Sequence, residues 1–148
     1  MAGAAGGVRE GALGAMAERI TGGCLCRACR YETEAAPLDV RVCHCKLCQK
    51  ATGAAFYARV RVPLDSLTIS GPVGWFHSSP PVRRGFCTRC GTTLFSERAD
   101  ANRIGIAMGS LDDPDRFSPT EQIWMSSKQA WVDLGDDLPG HAEGAPPG

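Results

Sequence analysis

The chain carries no excess of either charge, and this absence bears on its partners. Sixteen basic and sixteen acidic residues cancel, so the positive footprint of a protein that binds nucleic-acid phosphates is missing. No segment approaches the ~20 consecutive apolar residues that span a bilayer, and residues 1–17 contain no apolar signal-peptide core. We therefore expect neither nucleic acid nor membrane as a partner, and we expect a reducing compartment, the cytoplasm.

The sequence also lacks a sustained helical period. No window of about 11 to 18 residues repeats its apolar positions at helical spacing, whereas 18 glycines and 10 prolines favour short strands and turns. Alternating side chains predict strands in segments such as 24–34 and 55–62. We predict a mainly β domain of about eight short strands over residues 19–138.

Two segments of biased composition flank this domain. Residues 1–18 are rich in alanine and glycine and are predicted to form a disordered extension, in which Met16 is an alternative start to Met1. Residues 139–148 are rich in proline and glycine and are predicted to form a flexible tail.

Aromatic residues are scarce, at 7% of the chain, and we assign them to the core. A substrate pocket lined by Trp124 or Phe56 is the alternative. The residues assigned to the core are Phe56, Trp75, Phe86, Phe95, Trp124 and Trp131. Arg83, Arg84 and Arg89 are predicted to form a solvated face, with an anchor for substrate carboxylates as the alternative.

Cysteine, in contrast, is abundant, with eight residues in a chain of 148. In a reducing compartment, grouped thiolates indicate metal binding rather than disulfides, and two cysteines separated by one residue cannot bridge each other without strain. The cysteines are Cys24, Cys26, Cys29, Cys43, Cys45, Cys48, Cys87 and Cys90. We therefore predict bound zinc.

Local spacing predicts how these thiols are presented. On a strand, residues i and i+2 face the same way, so Cys24 and Cys26 can share a face, as can Cys43 and Cys45. Cys48 follows one short helical turn later, in a helix predicted to end at Gly53. His44 would then point away from its neighbours' sulfurs, and we predict that it supports the site without binding the metal.

The segment Cys87-Thr-Arg-Cys90-Gly91 lies between two predicted strands and is typical of a zinc knuckle. Its tight turn aims both sulfurs at one point, and glycine after the second cysteine permits a positive φ. A knuckle ordinarily gives both sulfurs to the same ion.

Two partitions of the cysteines remain open. In one, the triplet of Cys24, Cys26 and Cys29 and the later triplet of similar spacing each take one knuckle cysteine, which gives two closed sites. In the other, Cys24 and Cys26 join the knuckle, and Cys29 stays a buried thiol. Knuckle geometry favours the second partition, which leaves an open site of Cys43, Cys45 and Cys48.

Several motifs resemble the glutathione-dependent formaldehyde-activating enzyme family, also known as the centromere protein V/formaldehyde-activating domain. The matching segments are 22–26, 43–48, 53–56, 84–92 and 123–124, with Trp131. The chain departs from the family pattern at Arg27 and Cys29, where glycine and an aliphatic residue are usual. It departs again at Gln122, where many members have histidine.

The resemblance implies a β-tent, Mss4-like fold of short antiparallel strands built around two zinc ions per chain. It implies that Cys24, Cys26, Cys87 and Cys90 hold a structural zinc. It also implies that Cys43, Cys45 and Cys48 hold a catalytic zinc; no further catalytic residue is predicted.

The function implied is that of a carbon–sulfur lyase resembling S-(hydroxymethyl)glutathione synthase, which joins formaldehyde to glutathione. The expected partner is therefore a small-molecule thiol adduct such as a glutathione conjugate. The alternative is a non-catalytic zinc-binding interaction module with two closed structural sites.

Overall fold

A computed structural model describes residues 18–144, which form a mainly β fold of ten short strands and one short helix. The predicted fold class is therefore confirmed. The strands are β1 Ile20–Gly23, β2 Arg30–Thr33, β3 Asp39–Cys43, β4 Tyr57–Pro63, β5 Thr68–Ser70, β6 Val73–Ser79, β7 Val82–Cys87, β8 Thr93–Arg98, β9 Arg103–Ala107 and β10 Glu121–Ile123; the helix, α1, is Lys46–Thr52.

The strands form two sheets. The smaller has the order β1-β2-β5 and the larger the order β10-β3-β4-β9-β8-β7-β6. Neighbouring strands are antiparallel except for β10, which pairs in parallel with β3. Short 3₁₀ turns at Leu64–Ser66, Ala99–Ala101, Met108–Ser110 and Met125–Ser127 connect or follow strands.

The main core lies against one face of the larger sheet. Val60 and Val62 of β4 and Ile104 and Ile106 of β9 are fully buried there, together with Phe95 of β8. Side chains alternate between the two faces of a strand, so the residues between these positions project from the opposite face. On β4 those residues are a tyrosine and two arginines, and they form part of the site described below.

The predicted strand over 24–34 is wrong at its start. Residues 24–29 form a turn between β1 and β2, closed by a backbone hydrogen bond from Cys24 N to Cys29 O at 3.2 Å. Within this turn Arg27 adopts φ 71°, a left-handed conformation that favours glycine.

Residues after β10 continue along its free edge. Gln122 N donates to Pro139 O at 2.8 Å, and His141 N donates to Gln122 O at 2.9 Å. The segment predicted to be a flexible tail therefore begins with residues that are hydrogen-bonded to β10. Residues 145–148 of that tail, and residues 1–17 with Met16, lie outside the described residues.

Among residues 18–144, no helix has the length and apolar character that crossing a lipid bilayer requires.

Candidate metal centres and the adjoining cavity

Four of the predicted ligands meet where two turns face each other. Cys24 and Cys26 lie in the turn between β1 and β2, whereas Cys87 ends β7 and Cys90 lies in the turn before β8. The spacing argument assumed that Cys24 and Cys26 lie on a strand. They lie in a turn instead. The turn nevertheless brings their sulfurs to 3.6 Å from each other.

The spacing of these sulfurs fits a tetrahedral zinc ion. Zinc–thiolate bonds of ~2.3 Å at tetrahedral angles separate neighbouring sulfurs by about 3.8 Å. Cys26 Sγ lies 3.8 Å from Cys87 Sγ, and the four sulfurs all lie within 4.8 Å of one another. All eight cysteines are free of disulfides, so each of the four can act as a ligand.

Backbone amides point at the same sulfurs. The amides of Arg89 and Cys90 lie 3.3 and 3.4 Å from Cys87 Sγ, and Gly91 takes φ 80° as the knuckle requires. The amide of Cys29 lies 3.2 Å from Cys24 Sγ. These N–H donors stabilise negative charge on sulfur, which is the state that a metal ligand needs.

Cys29 is a metal ligand in the first partition of the cysteines and a buried thiol in the second. Its side chain is 1% exposed, and burial raises the pKa of its thiol to about 12. It is not part of either sulfur group. The structure thus brings together the four cysteines of the second partition and leaves Cys29 as a buried neutral thiol.

The second sulfur group is built from a strand end and a helix start. Cys43 ends β3, Cys45 is the N-cap of α1, and Cys48 lies in its first turn. The three sulfurs lie within 4.8 Å of one another. The predicted helical turn is confirmed, and it ends at Gly53, whose φ is 66°. In the described part of the chain, no fourth histidine, cysteine or carboxylate joins this group.

The pKa values of the three thiols in this group are shifted in different directions. Hydrogen bonds with Cys43 and Cys48 lower the pKa of Cys45 to about 2. The reciprocal bonds with Cys45 and Cys48, followed by burial, raise the pKa of Cys43. The amide of Cys48 also donates to Cys45 Sγ at 3.3 Å, which favours negative charge on that sulfur.

His44 lies within the segment that carries Cys43, Cys45 and Cys48, which we call the triad. It is 0% exposed, and its Nε2 lies 2.8 Å from Gln122 Oε1. Because an amide oxygen only accepts, Nε2 carries the proton and donates it. The carbonyl of His44 accepts from Gln49 Nε2 at 2.6 Å. His44 thus fixes the chain between Cys43 and Cys45, and the buried Gln122 holds it in place.

A cavity of about 220 Å³ opens beside the triad. Its lining residues are Cys43, Cys48, Tyr57, Arg59, Arg61, Val82, Arg84, Ser96, Arg98, Arg103, Ile123 and Trp124. Trp124, which was assigned to the core, therefore lines this cavity and holds a left-handed φ of 59°. Trp131 was also assigned to the core, but it is 73% exposed.

Arg84 of β7 reaches the triad. Its Nη1 and Nη2 atoms both lie 3.6 Å from Cys48 Sγ, and its Nε donates to Ser78 Oγ at 3.0 Å. Its guanidinium lies over the ring of Tyr57, 5.8 Å from the ring centroid. The prediction that Arg84 belongs to a solvated face is wrong, because β7 turns this side chain into the cavity; Arg89 is exposed as expected.

The arginines of β4 and β9 were missed by the sequence analysis. Arg59 and Arg61 lie on the face of β4 opposite the core, and Arg103 begins β9 beside them. The available signal was the alternation of Tyr57, Arg59 and Arg61 along a strand close to the cysteine motif. A strand face with two arginines is most simply solvated, so this signal did not identify a cavity wall.

Three comparisons place the chain among known proteins. A family model described as glutathione-dependent formaldehyde-activating enzyme matches residues 19–127. A protein of Schizosaccharomyces pombe named as an uncharacterized lyase is 32% identical over 74 residues, which cover 50% of this chain and 54% of that protein. The chain thus spans about half the length of this curated relative.

A crystal structure of a Rhodobacter sphaeroides protein shares the fold. It superposes with a TM-score of 0.53 at 21% identity, over 67% of this chain and 91% of that chain. The two cysteine groups lie at 24–90, within the segment matched by the family model. Since this match covers most of the sequence, the chain belongs to the glutathione-dependent formaldehyde-activating enzyme family.

Proposed function

We propose that the protein is a zinc-dependent carbon–sulfur lyase that acts on a small-molecule thiol adduct. The observation that carries the proposal is the convergence of three sulfurs, two of which belong to residues that line a cavity, Cys43 and Cys48. The reaction would join a thiol to formaldehyde, or release it, with glutathione as the thiol indicated by the family. The relative named as a lyase supports this class of reaction.

The two sulfur groups would then have separate roles. Cys24, Cys26, Cys87 and Cys90 fit a zinc whose protein ligands are complete, whereas Cys43, Cys45 and Cys48 supply three ligands beside the cavity. Zinc held by such a triad supplies a Lewis acid that stabilises a thiolate or polarises a carbonyl oxygen.

Arg84 adds positive charge at the same end of the cavity. Because its guanidinium lies 3.6 Å from Cys48 Sγ, an incoming sulfur next to that residue would also feel this charge. A positive charge nearby favours the thiolate over the thiol. Arg84 therefore helps to keep the substrate sulfur nucleophilic, and Ser78 fixes its orientation.

The reaction also requires a proton to move. When the carbon–sulfur bond forms, the thiol loses its proton and the carbonyl oxygen gains one. Tyr57 lines the cavity and packs with Cys43 and Cys48. Burial raises the pKa of Tyr57, so its hydroxyl stays protonated and can donate to that oxygen. Ser96 Oγ, 3.2 Å away, holds the hydroxyl in position.

The proposal is tested with purified, zinc-loaded protein. Formaldehyde is offered with glutathione, L-cysteine or 2-mercaptoethanol, and formation of the S-hydroxymethyl adduct is followed by NMR exchange. We expect one thiol class to react at least about 100-fold faster than in buffer. Rates equal to buffer for every thiol, in a protein that retains its metal, would instead support the interaction module with closed sites.

Tyr57→Phe tests the proton donor. Loss of the hydroxyl is expected to lower kcat by about 10- to 100-fold and to leave KM nearly unchanged, because Tyr57 would act in the chemical step. Tyr31→Phe is a matched control, since the Tyr31 hydroxyl bonds Ser110 at 2.7 Å in the core. An unchanged kcat in Tyr57→Phe would remove this residue from the mechanism.

A further inference from the structure

Strand β6 ends the larger sheet, and its outer edge is uncovered in the part of the chain that the structure describes. The strand runs over seven residues, Val73–Ser79, and pairs with β7 alone. The opposite end of the sheet, at β10, is covered by residues 139–141, whose backbone bonds that of Gln122. In the smaller sheet, β1 is bridged by Leu111 and β5 has only three residues. The edge of β6 is thus the longest free edge among residues 18–144.

The sequence of β6 lacks the residues that usually protect a free edge. Soluble proteins place lysine, other charged residues or proline on such strands, because an uncovered strand offers its N–H and C=O groups to other chains. The strand reads Val-Gly-Trp-Phe-His-Ser-Ser and contains none of these residues. A bulge between His77 and Ser79 interrupts the pairing with β7, so the regular part of the edge is 73–77.

The register with β7 indicates which backbone groups of β6 face outward. Thr88 N donates to Pro72 O at 2.9 Å, and in an antiparallel ladder the hydrogen-bonded pairs recur at every second residue. Phe76 therefore bonds β7, whereas Trp75 and His77 direct their N–H and C=O groups away from it. Both donors and both acceptors of these two residues are available to a further strand.

Exposed aromatic rings border the same edge. Phe76 is 69% exposed and is paired with Arg84, so it projects from the face of the sheet that carries the cavity. Beside it, the ring of Phe86 lies over Gly74, since a Cβ at this glycine would be 2.8 Å from the ring. Free backbone groups next to exposed rings fit an uncharged, apolar strand from another molecule.

We propose that β6 pairs with β6 of a second copy of this chain, in an antiparallel homodimer whose two-fold axis passes through Phe76. In this arrangement Trp75 of each copy bonds His77 of the other, so every outward N–H and C=O group of these residues is paired. Phe76 lies opposite Phe76 of the second copy, in a non-hydrogen-bonded pair, where side chains approach closely. Since β6 has no charged residue, no like charges meet across the axis.

The register centred on Phe76 follows from the groups that are free. A pairing centred on Trp75 would place Val73 opposite His77 and would need the amide of Val73, which already donates to Gly71 O at 2.9 Å. An axis at Phe76 needs only groups that face outward. The strand is therefore complementary to itself, as a two-fold interface requires. The two larger sheets become continuous, and both cavities open on the same face.

The mass in solution tests whether the dimer forms. Full-length, zinc-loaded protein is measured by sedimentation velocity and light scattering over a concentration series. The interface is small, so association in the micromolar range is expected. The mass should rise from the 15.7 kDa of one chain to twice that value between about 1 and 500 µM. A protein that stays monomeric throughout this series would overturn the proposal.

Substitutions at the axis test the register. Phe76→Glu and Phe76→Lys each bring like charges together and should raise the dimer Kd by about 10-fold or more. An equimolar mixture of the two variants should associate again, because opposite charges then meet. Leu38→Glu and Leu38→Lys are matched controls at a residue that is 47% exposed beside β3 and should leave Kd unchanged. An undiminished dimer in the Phe76 variants, or a loss that the mixture does not restore, contradicts this interface.

Amide hydrogen exchange shows which backbone groups pair. The amides of Trp75 and His77 should exchange about 10-fold more slowly at the highest concentration than at the lowest, whereas the Phe76 amide, which bonds β7, should change little. These rates also distinguish a second copy from a segment of the same chain. Slow exchange of Trp75 and His77 in the monomer would mean that another part of the chain covers β6, and the dimer proposal would fail.

Discussion

Cys87→Ala is expected to prevent the protein from folding. Cys87 is 0% exposed, and its sulfur belongs to the group of four that joins two turns of the chain. A structural zinc contributes on the order of 10 kcal/mol to folding, whereas the whole domain is stable by only about 5–15 kcal/mol. Removal of one ligand should therefore leave too little stability for a cooperative native state.

Far-UV and near-UV circular dichroism, thermal melting and metal content measure this effect. We expect Cys87→Ala to show no cooperative melting transition and to lose bound metal. Cys29→Ala is the matched control, because it also removes a buried thiol but one outside both sulfur groups. It should fold, retain its metal and lose only about 1–2 kcal/mol of stability. Normal melting of Cys87→Ala would contradict a structural role for this group.

Cys48→Ala is expected to have the opposite profile, with activity lost and the fold kept. Its sulfur belongs to a triad at the cavity wall, outside the main core. The three ligands lie within six residues at a strand end and a helix start, so they hold few distant elements together. Removal of one should empty this site and lower the rate by about 1,000-fold or more, since the Lewis acid is lost.

Three measurements distinguish loss of the metal at this site from unfolding of the domain. Metal content should fall from two equivalents to one, the melting transition should remain cooperative, and adduct formation should approach the rate in buffer. Cys29→Ala again serves as the control and should keep both metal equivalents and activity. Loss of cooperative melting in Cys48→Ala would contradict the separate roles of the two groups.

The fold class and the grouping of the cysteines could be argued from sequence because both depend on local signals. Alternation predicted β4, the knuckle motif predicted the strands on either side of it, and Gly53 and Gly91 both adopt positive φ. The structure brings together the same cysteine sets that knuckle geometry favoured. Their occupancy by zinc remains a prediction.

The cavity could not be predicted, because its walls come from strands that are distant in sequence. Arg59 on β4 lies beside Gly105 on β9, and Arg84 reaches Cys48 from β7. Alternation shows which residues share a strand face but not whether another element covers that face. The same limit explains Trp131, which is apolar enough for the core yet lies on a segment after β10 that leaves it exposed.

The two sulfur groups can form at different stages of folding. Cys26 and Cys87 are 61 residues apart, so their group can form only after a long loop has closed, at an entropic cost that grows with loop length. Cys43, Cys45 and Cys48 are neighbours and can capture an ion on the nascent chain. The first group can therefore be completed only after β1 and β7 have come together, whereas the second needs only β3 and the helix that follows it.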